Sequence, residues 1–289
     1  MKKKEKSASA AQSISGKLRC PYCHERMEVK ALKSLVCINN HTFDFAKQGY
    51  VNMLKKAVNT QYDDALFDAR QRIISEAELY APVHDRIAEI IMDRTPEESL
   101  LFDAGSGEGS HLNMIQNKIG SETLTGIGLD ISKEGVLMAA KNYDGQVWIV
   151  GDLANPPFAD GSCRFILNFL SPANYSEFKR ILTDDGIIIK VIPGTNYLKE
   201  LRTELFSNTE ESEYENTDTL DLLKRNVIVV SEERITYSRS LDADSLKDLI
   251  SMSPLGWHAD EEQVKAFAGE GHKDITVDMH IVIAVKEQN

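Results

Sequence analysis

The chain has 289 residues, 42% of them hydrophobic and 27% charged, enough for one large α/β domain and a small appendage around a sizeable core. No apolar run approaches the ~18 residues of a membrane span. Ser7 to Gly16, behind the basic start, lacks the apolar stretch of a secretion signal. The net charge of −12 argues against a polyanion partner, but its distribution reverses that reading. Residues 1–60 carry 12 Lys or Arg against 4 Asp or Glu, a net of +8, leaving 21 against 41, a net of −20, for the rest. Any nucleic-acid contact is therefore expected in the N-terminal part, at Lys17, Arg19, Lys30, Lys33, Lys47, Lys55 and Lys56. The charge split also leaves room for a homodimer in which a partner subunit supplies a second basic module. Four cysteines, three of them clustered with a histidine, fit a reducing compartment and predict a cytoplasmic protein.

Residues 1–16 are rich in Lys, Ser and Ala and read as a disordered basic tail. Residues 17–60 read as a zinc-binding, RNA-recognition domain. Cys20, Cys23, Cys37 and His41, spaced Cys-x2-Cys-x13-Cys-x3-His, offer two ligands from each of two tight turns, as tetrahedral zinc requires. Four protein ligands leave no open position, so the metal is expected to be structural. His24, beside Cys23, is an alternative ligand. With few apolar residues of its own, the module is expected to need the metal to fold. Cys37→Ser is then expected to unfold it and leave the cofactor domain intact.

Residues 61–95 read as a helical connector with apolar positions at Leu66, Ile73, Ile87, Ile90 and Ile91. Pro82 opens its second half and Thr95-Pro96 breaks it. Residues 96–289 alternate short β runs with amphipathic helices, the pattern of a parallel sheet covered on both faces. Strands are predicted at Ser99–Ala104, Leu124–Leu129, Val147–Val150, Arg164–Leu170 and Gly186–Ile192. Helices are predicted at Ser110–Ile119, Ser132–Asn142, Tyr175–Leu182 and Tyr197–Phe206. Thr209–Asp218, acidic and aperiodic, reads as a mobile loop. Val227–Ser240 and Ile275–Val285 read as strands of an antiparallel hairpin edge, with a helix at Ser245–Met252. Cys163, at a strand start, reads as core.

Gly105, Gly107 and Gly109 follow the first of these strands and precede a helix, so backbone N–H groups can meet a ligand closely. The spacing is G-x-G-x-G, unlike the G-x-G-x-x-G of dinucleotide sites. Asp103, two residues ahead, can meet a positive amino group, and Glu108 lies within the same loop. Asp130 ends the next strand, where a carboxylate accepts ribose hydroxyls, and Asp152 ends the third, placed for an adenine amine. S-adenosyl-L-methionine, cationic and without phosphates, fits these demands; NAD is the competitor and lacks its fingerprint.

Several motifs now coincide. Cys20-Pro21-x-Cys23 with Cys37 and His41 is followed by Phe43-Asp44-Phe45-Ala46-Lys47-Gln48-Gly49-Tyr50-Val51-Asn52. Ala69-Arg70, Tyr80-x-Pro82, the Asp103–Gly109 loop and Gly128-Leu129-Asp130-Ile131-Ser132-Lys133 come next. Pro157-Phe158, Ser171-Pro172-Ala173, Pro193-Gly194 with Leu198-x-Glu200-Leu201, and Met252-Ser253-Pro254 with Trp257 complete the set. From Arg19 onward the chain resembles the 23S rRNA (guanine-N1) methyltransferases of the RlmA type. That resemblance implies a zinc-containing RNA-recognition domain ahead of a class I (Rossmann-like) methyltransferase sheet. It also implies that Tyr80 and Tyr197 help enclose the cofactor. The family often has histidine at Tyr197, glycine at Glu78 and cysteine at Ser106.

The leading expectation is methyl transfer to guanine N1 in a stem-loop of 23S rRNA. Asn168, Ser171 and Asn174 lie where such enzymes present the acceptor; each asparagine could bond a base edge or equally serve as a strand-end or helix-cap residue. The catalytic residue stays unassigned. Two other functions compete: a small-molecule methyltransferase with an incidental zinc module, and a non-catalytic RNA-binding assembly factor.

Overall fold

The computed structural model describes residues 1–56, 58, 63–94, 98–205, 217–256, 259–269 and 271–287. The N-terminal part holds α1 (Lys3–Ser13), β1 (Met27–Lys30), β2 (Ser34–Cys37), β3 (Thr42–Asp44) and β4 (Tyr50–Asn52). A connector follows, with α2 (Asp64–Gln71), a π-helical turn at Arg72–Glu76, and α3 (Ala81–Met92). Asp63 caps α2 by accepting from the Leu66 amide, and Pro82 sits in the first turn of α3 as its sequence predicts.

The alternation then runs β5 (Ser99–Ala104), α4 (Ser110–Ile119), β6 (Leu124–Asp130), α5 (Lys133–Asn142), β7 (Val147–Val150), β8 (Cys163–Phe169), α6 (Tyr175–Ile181) and β9 (Leu182–Pro193). It closes with α7 (Lys199–Leu205), α8 (Thr217–Asn226), β10 (Ile228–Asp242), α9 (Ala243–Met252), α10 (Glu261–Ala268) and β11 (His272–Val285).

One eight-stranded sheet runs β10-β11-β9-β8-β5-β6-β7-β4, and β1–β3 form a separate three-stranded sheet. The pairs from β9 across to β4 are parallel, while β11 is antiparallel to both its neighbours. β5 is entirely buried, as a central parallel strand covered on both faces must be. From β5 the chain steps to β6 and β7, then returns to β8 on the other side of β5. That reversal opens a crevice at the strands' carboxyl ends, where doubly wound sheets bind ligands.

Four expectations change. Residues 3–13 are a helix, not a disordered tail. Ala8 and Ala11 are fully buried, and the Lys3 ammonium donates to the Ala140 and Lys141 carbonyls near the carboxyl end of α5. A Ser/Ala composition that reads as linker thus serves close packing. Second, β10 and β11 do form the antiparallel edge, but α9 and α10 lie between them, so it is not a hairpin. Third, Thr217 and Asp218 open α8; the rest of the expected acidic loop lies outside the described residues, as do Thr95-Pro96, Phe206 and Trp257.

The fourth concerns the ribbon's independence. β4 pairs in parallel with β7, Tyr50 to Asn52 against Trp148 to Val150, and the Met53 amide extends the ladder to the Val150 carbonyl at 2.8 Å. Arg19 and Ala159 exchange amide bonds with Pro157 and Lys17, and Asn155 Nδ2 donates to the Pro21 carbonyl at 2.8 Å. Leu18, Met27, Leu35, Phe43, Phe45 and Val51 of the ribbon share one continuous core with Phe102, Ile127, Ile149, Phe158 and Phe178 of the sheet. Cys163, fully buried, belongs to that core as expected. The ribbon borrows the apolar surface it lacks from one face of the main sheet.

A change at the zinc ligands should therefore reach beyond the ribbon. Cys37→Ser is expected to lower the midpoint of one cooperative unfolding transition by on the order of 10 °C, read by calorimetry. Two separate transitions, with the larger unmoved, would contradict the shared core.

Candidate active site and zinc centre

Two turns of the ribbon bring four ligands together. Cys20 and Cys23 flank a turn closed by the His24 amide on the Cys20 carbonyl at 2.8 Å. Cys37 ends β2, and His41 is returned to it by a turn in which the Asn40 amide meets the Cys37 carbonyl at 2.9 Å. The ligand atoms lie within 4.8 Å of one another. Cys23 Sγ to Cys37 Sγ is 3.6 Å, and His41 Nδ1 lies 3.3, 3.5 and 3.6 Å from the sulfurs of Cys23, Cys37 and Cys20. Metal–ligand bonds of ~2.3 Å to sulfur and ~2.0 Å to nitrogen give tetrahedral edges of about 3.5–3.8 Å, so the donor set fits zinc. His24 stands outside the group. The Glu25 amide draws the Cys23 thiol down to about 6, whereas burial pushes Cys20 up to about 11. A bound dication would hold both as thiolates.

At the crevice, β5 ends on Asp103 and the glycine loop turns over it. Gly105, Gly107 and Gly109 have φ of +87°, +55° and +83°, left-handed backbone that favours glycine. A Cβ at Gly109 would stand 2.4 Å from the Trp148 ring, and one at Gly105 1.9 Å from Ser171 Oγ. Asp130, at the end of β6, fastens the loop by accepting from the Gly107 and Ser132 amides, both at 2.8 Å.

Arg70, on α2, reaches over this loop and was not singled out by spacing. Its Nε lies 3.0 Å from Glu108 Oε2, and Glu108, Tyr80, Asp130 and Asp103 all act on its charge. The Glu108 carboxylate is fully buried and, beyond this ion pair, makes no hydrogen bond. Asp103 is 1% exposed and its Oδ2 has no hydrogen-bond partner among the described residues. Burial, helped by Asp130 and Glu108 and opposed by Arg70, pushes its carboxyl up to about 8. Such a group, buried with an unmatched oxygen, fits a cationic ligand such as the amino group of S-adenosyl-L-methionine.

The hydroxyls of Tyr80 and Tyr197 lie 2.6 Å apart. Glu78 has φ +52°, left-handed backbone that favours glycine. Beneath the loop, His84 Nε2 meets His111 Nδ1 at 2.8 Å, and burial holds both imidazoles far below their ordinary value, that of His84 at about 3.

Asp152 is exposed, and its Oδ1 accepts from the Ala154 amide. It borders a cavity of about 380 Å³ shared with Pro21, Leu54, Lys55 and Asn155 of the ribbon junction. On the acceptor side the two asparagines take the strand-end and helix-cap roles. Asn168 gives its amide to the Ala104 and Pro172 carbonyls, and Asn174 caps α6 through the Glu177 amide. Neither is free to read a base.

We expect Asp103, buried with its proton, to meet the cofactor's amino group and so to make binding pH-dependent. To meet an ammonium it must ionise, so below about pH 8 binding should release close to one proton, and affinity should rise with pH before levelling above that value. Calorimetry in buffers of different ionisation enthalpy measures this. Asp103→Asn should bind more weakly and release none.

Comparison with known proteins completes the picture. A model of the RlmA N-terminal zinc ribbon matches residues 18–56, and a methyltransferase-domain model matches residues 102–189. YxjB of Bacillus subtilis, provisionally named a 23S rRNA (guanine-N1)-methyltransferase, is 39% identical over 93% of this chain and 96% of its own. The 23S rRNA (guanine(748)-N1)-methyltransferase of Streptomyces fradiae is 29% identical over 86% of this chain and 88% of its own. A protein of Micromonospora griseorubida with the same provisional name as YxjB is 26% identical over 92% and 96%. With both modules matched and the relatives covered almost end to end, this chain belongs to the RlmA-type family of 23S rRNA (guanine-N1)-methyltransferases.

Proposed function

We propose that this chain transfers a methyl group from S-adenosyl-L-methionine to N1 of a guanine in a stem-loop of 23S rRNA. The observation that carries this reading is the match to YxjB across ribbon and catalytic domain alike. When bound, the cofactor supplies an electrophilic methyl group for in-line displacement by a ring nitrogen. The protein's part is then largely positioning and exclusion of water. Asp103 takes the amino group, Asp130 the ribose and Asp152 the adenine amine, with Tyr80 and Tyr197 enclosing the site. Arg70 and α2 cover the loop from solvent. Guanine N1 is hidden inside a base pair, so the target must be unpaired or turned out of its stack.

The RNA grip falls to lysines that no ion pair among the described residues occupies. Lys33, Lys47, Lys55 and Lys56 are exposed, and Lys55 Nζ lies 5.3 Å from the ring centre of the half-exposed Tyr22. Others are engaged: Arg19 with Asp160 and Glu177, Lys3 and Lys6 with Asp144, Lys30 with Glu28. The net of −20 beyond residue 60 favours a homodimer in which a second ribbon helps hold the RNA, which sedimentation tests. Among the described residues no helix is long and apolar enough to cross a membrane, and an rRNA substrate favours a cytoplasmic protein.

Labelled cofactor and unmodified 23S rRNA should yield a methylated guanine that stops reverse transcription, since an N1 methyl blocks pairing. Methyl transfer confined to small molecules would overturn the reading. Replacing Lys33, Lys55 and Lys56 by glutamine should weaken RNA binding and flatten its log–log salt dependence by about 0.7–0.9 per lost phosphate contact. Cofactor affinity should hold.

A further inference from the structure

The loop after β8, residues 170–173, is held by an arrangement that the reading above leaves unused. Leu170 has φ +48°, a left-handed backbone that costs any residue with a Cβ. Ser171 presses against the cofactor loop: its Oγ occupies the space a Cβ on Gly105 would need. Two buried side chains hold this conformation. Asn168 Nδ2 donates to the Pro172 carbonyl at 3.0 Å and to Ala104, at the end of β5, at 2.8 Å. Lys190, opposite Asn168 on β9, donates from Nζ to Asn168 Oδ1 at 2.5 Å and to the Ser171 carbonyl at 2.6 Å.

Lys190 is 4% exposed and Asn168 fully buried. Buried lysines are rare and usually paired with an acid, yet both acceptors here are neutral. Burial draws the ammonium down to about 8. Its charged form is thus less favoured in the folded chain than in the unfolded one, so it opposes folding at neutral pH. A residue retained at such a cost belongs to a site.

We propose that Lys190 is a positioning residue for methyl transfer: through Ser171 and Asn168 it fixes the 170–173 loop against Gly105 as a preset wall for the acceptor base. The proposal rests on the methyltransferase reading. Lys190 acts as donor throughout and takes no proton from the substrate, because its nitrogen faces carbonyl oxygens.

Lys190→Met keeps the stem and removes the donors. Hydrogen exchange of peptides spanning 169–174 should quicken by about tenfold or more, while 99–112 stays protected. The methylation rate at saturating cofactor and RNA should fall by about 100-fold, the effect of misplacement on the order of 1 Å, with cofactor affinity little changed. Ser171→Gly, which frees the loop backbone and removes its contact with Gly105, should lower the rate in the same sense at an unchanged melting temperature. It serves if the buried variant does not fold. Unchanged exchange in the loop, a full rate, or a loss of cofactor affinity matching the loss of rate would overturn the proposal. If the wild-type protein leaves 23S rRNA unmethylated, the function above fails, whereas the exchange experiment still decides whether Lys190 holds the loop.

Discussion

Three residues of edge strand, Tyr50–Asn52, carry the ribbon into the main sheet beside β7, and much of the structure depends on that pairing. A small metal module can bury little apolar surface by itself, and zinc normally supplies the deficit. Here the deficit is met twice, by the metal and by Phe43, Phe45 and Val51 packing into the same core as Phe102 and Phe158. The ring centres of Phe102 and Phe158 lie 4.6 Å apart on the catalytic side of that core. Gly151 and Asp152, which follow β7, border the same cavity as Pro21, next to the first zinc ligand. Metal site and cofactor edge therefore belong to one mechanical unit.

The crevice is organised by charges out of balance. Asp103, Glu108 and Asp130 all act on one nearby cation, Arg70. Asp103 holds its proton chiefly because burial strips it of water, with Asp130 and Glu108 adding to that effect and Arg70 opposing it. A ligand bringing positive charge relieves that imbalance, so the site selects a cationic cofactor over a phosphate-bearing one. The glycine loop cooperates sterically, because Trp148 and Ser171 occupy the space that side chains there would need.

Much of this was legible in the residues. The four ligands are spaced as tetrahedral coordination requires, and β5, α4 and β7 fall where apolar runs and glycines place them. The parts that escaped did so for physical reasons. β4 is three residues long within a polar stretch and becomes a strand only because β7 offers a partner. α1 has no apolar stripe; small Ala8 and Ala11 let it pack closely, which composition alone represents as disorder. Lys190 sits in an apolar run that reads as a plain central strand, and only tertiary contact shows its nitrogen among carbonyls. Tyr80 and Tyr197 were reached through family resemblance rather than periodicity, since their meeting spans 117 positions of sequence.

Whether the ribbon and the cofactor site are one unit is tested most directly by titrating S-adenosyl-L-methionine into zinc-loaded and zinc-stripped protein. If β4 and the shared core hold the end of β7 in place, stripping the metal should weaken cofactor binding, and restoring zinc should recover it. Cofactor affinity indifferent to zinc, in protein shown to have lost the metal, would mean that the ribbon is an appendage and the shared core carries no strain to the site.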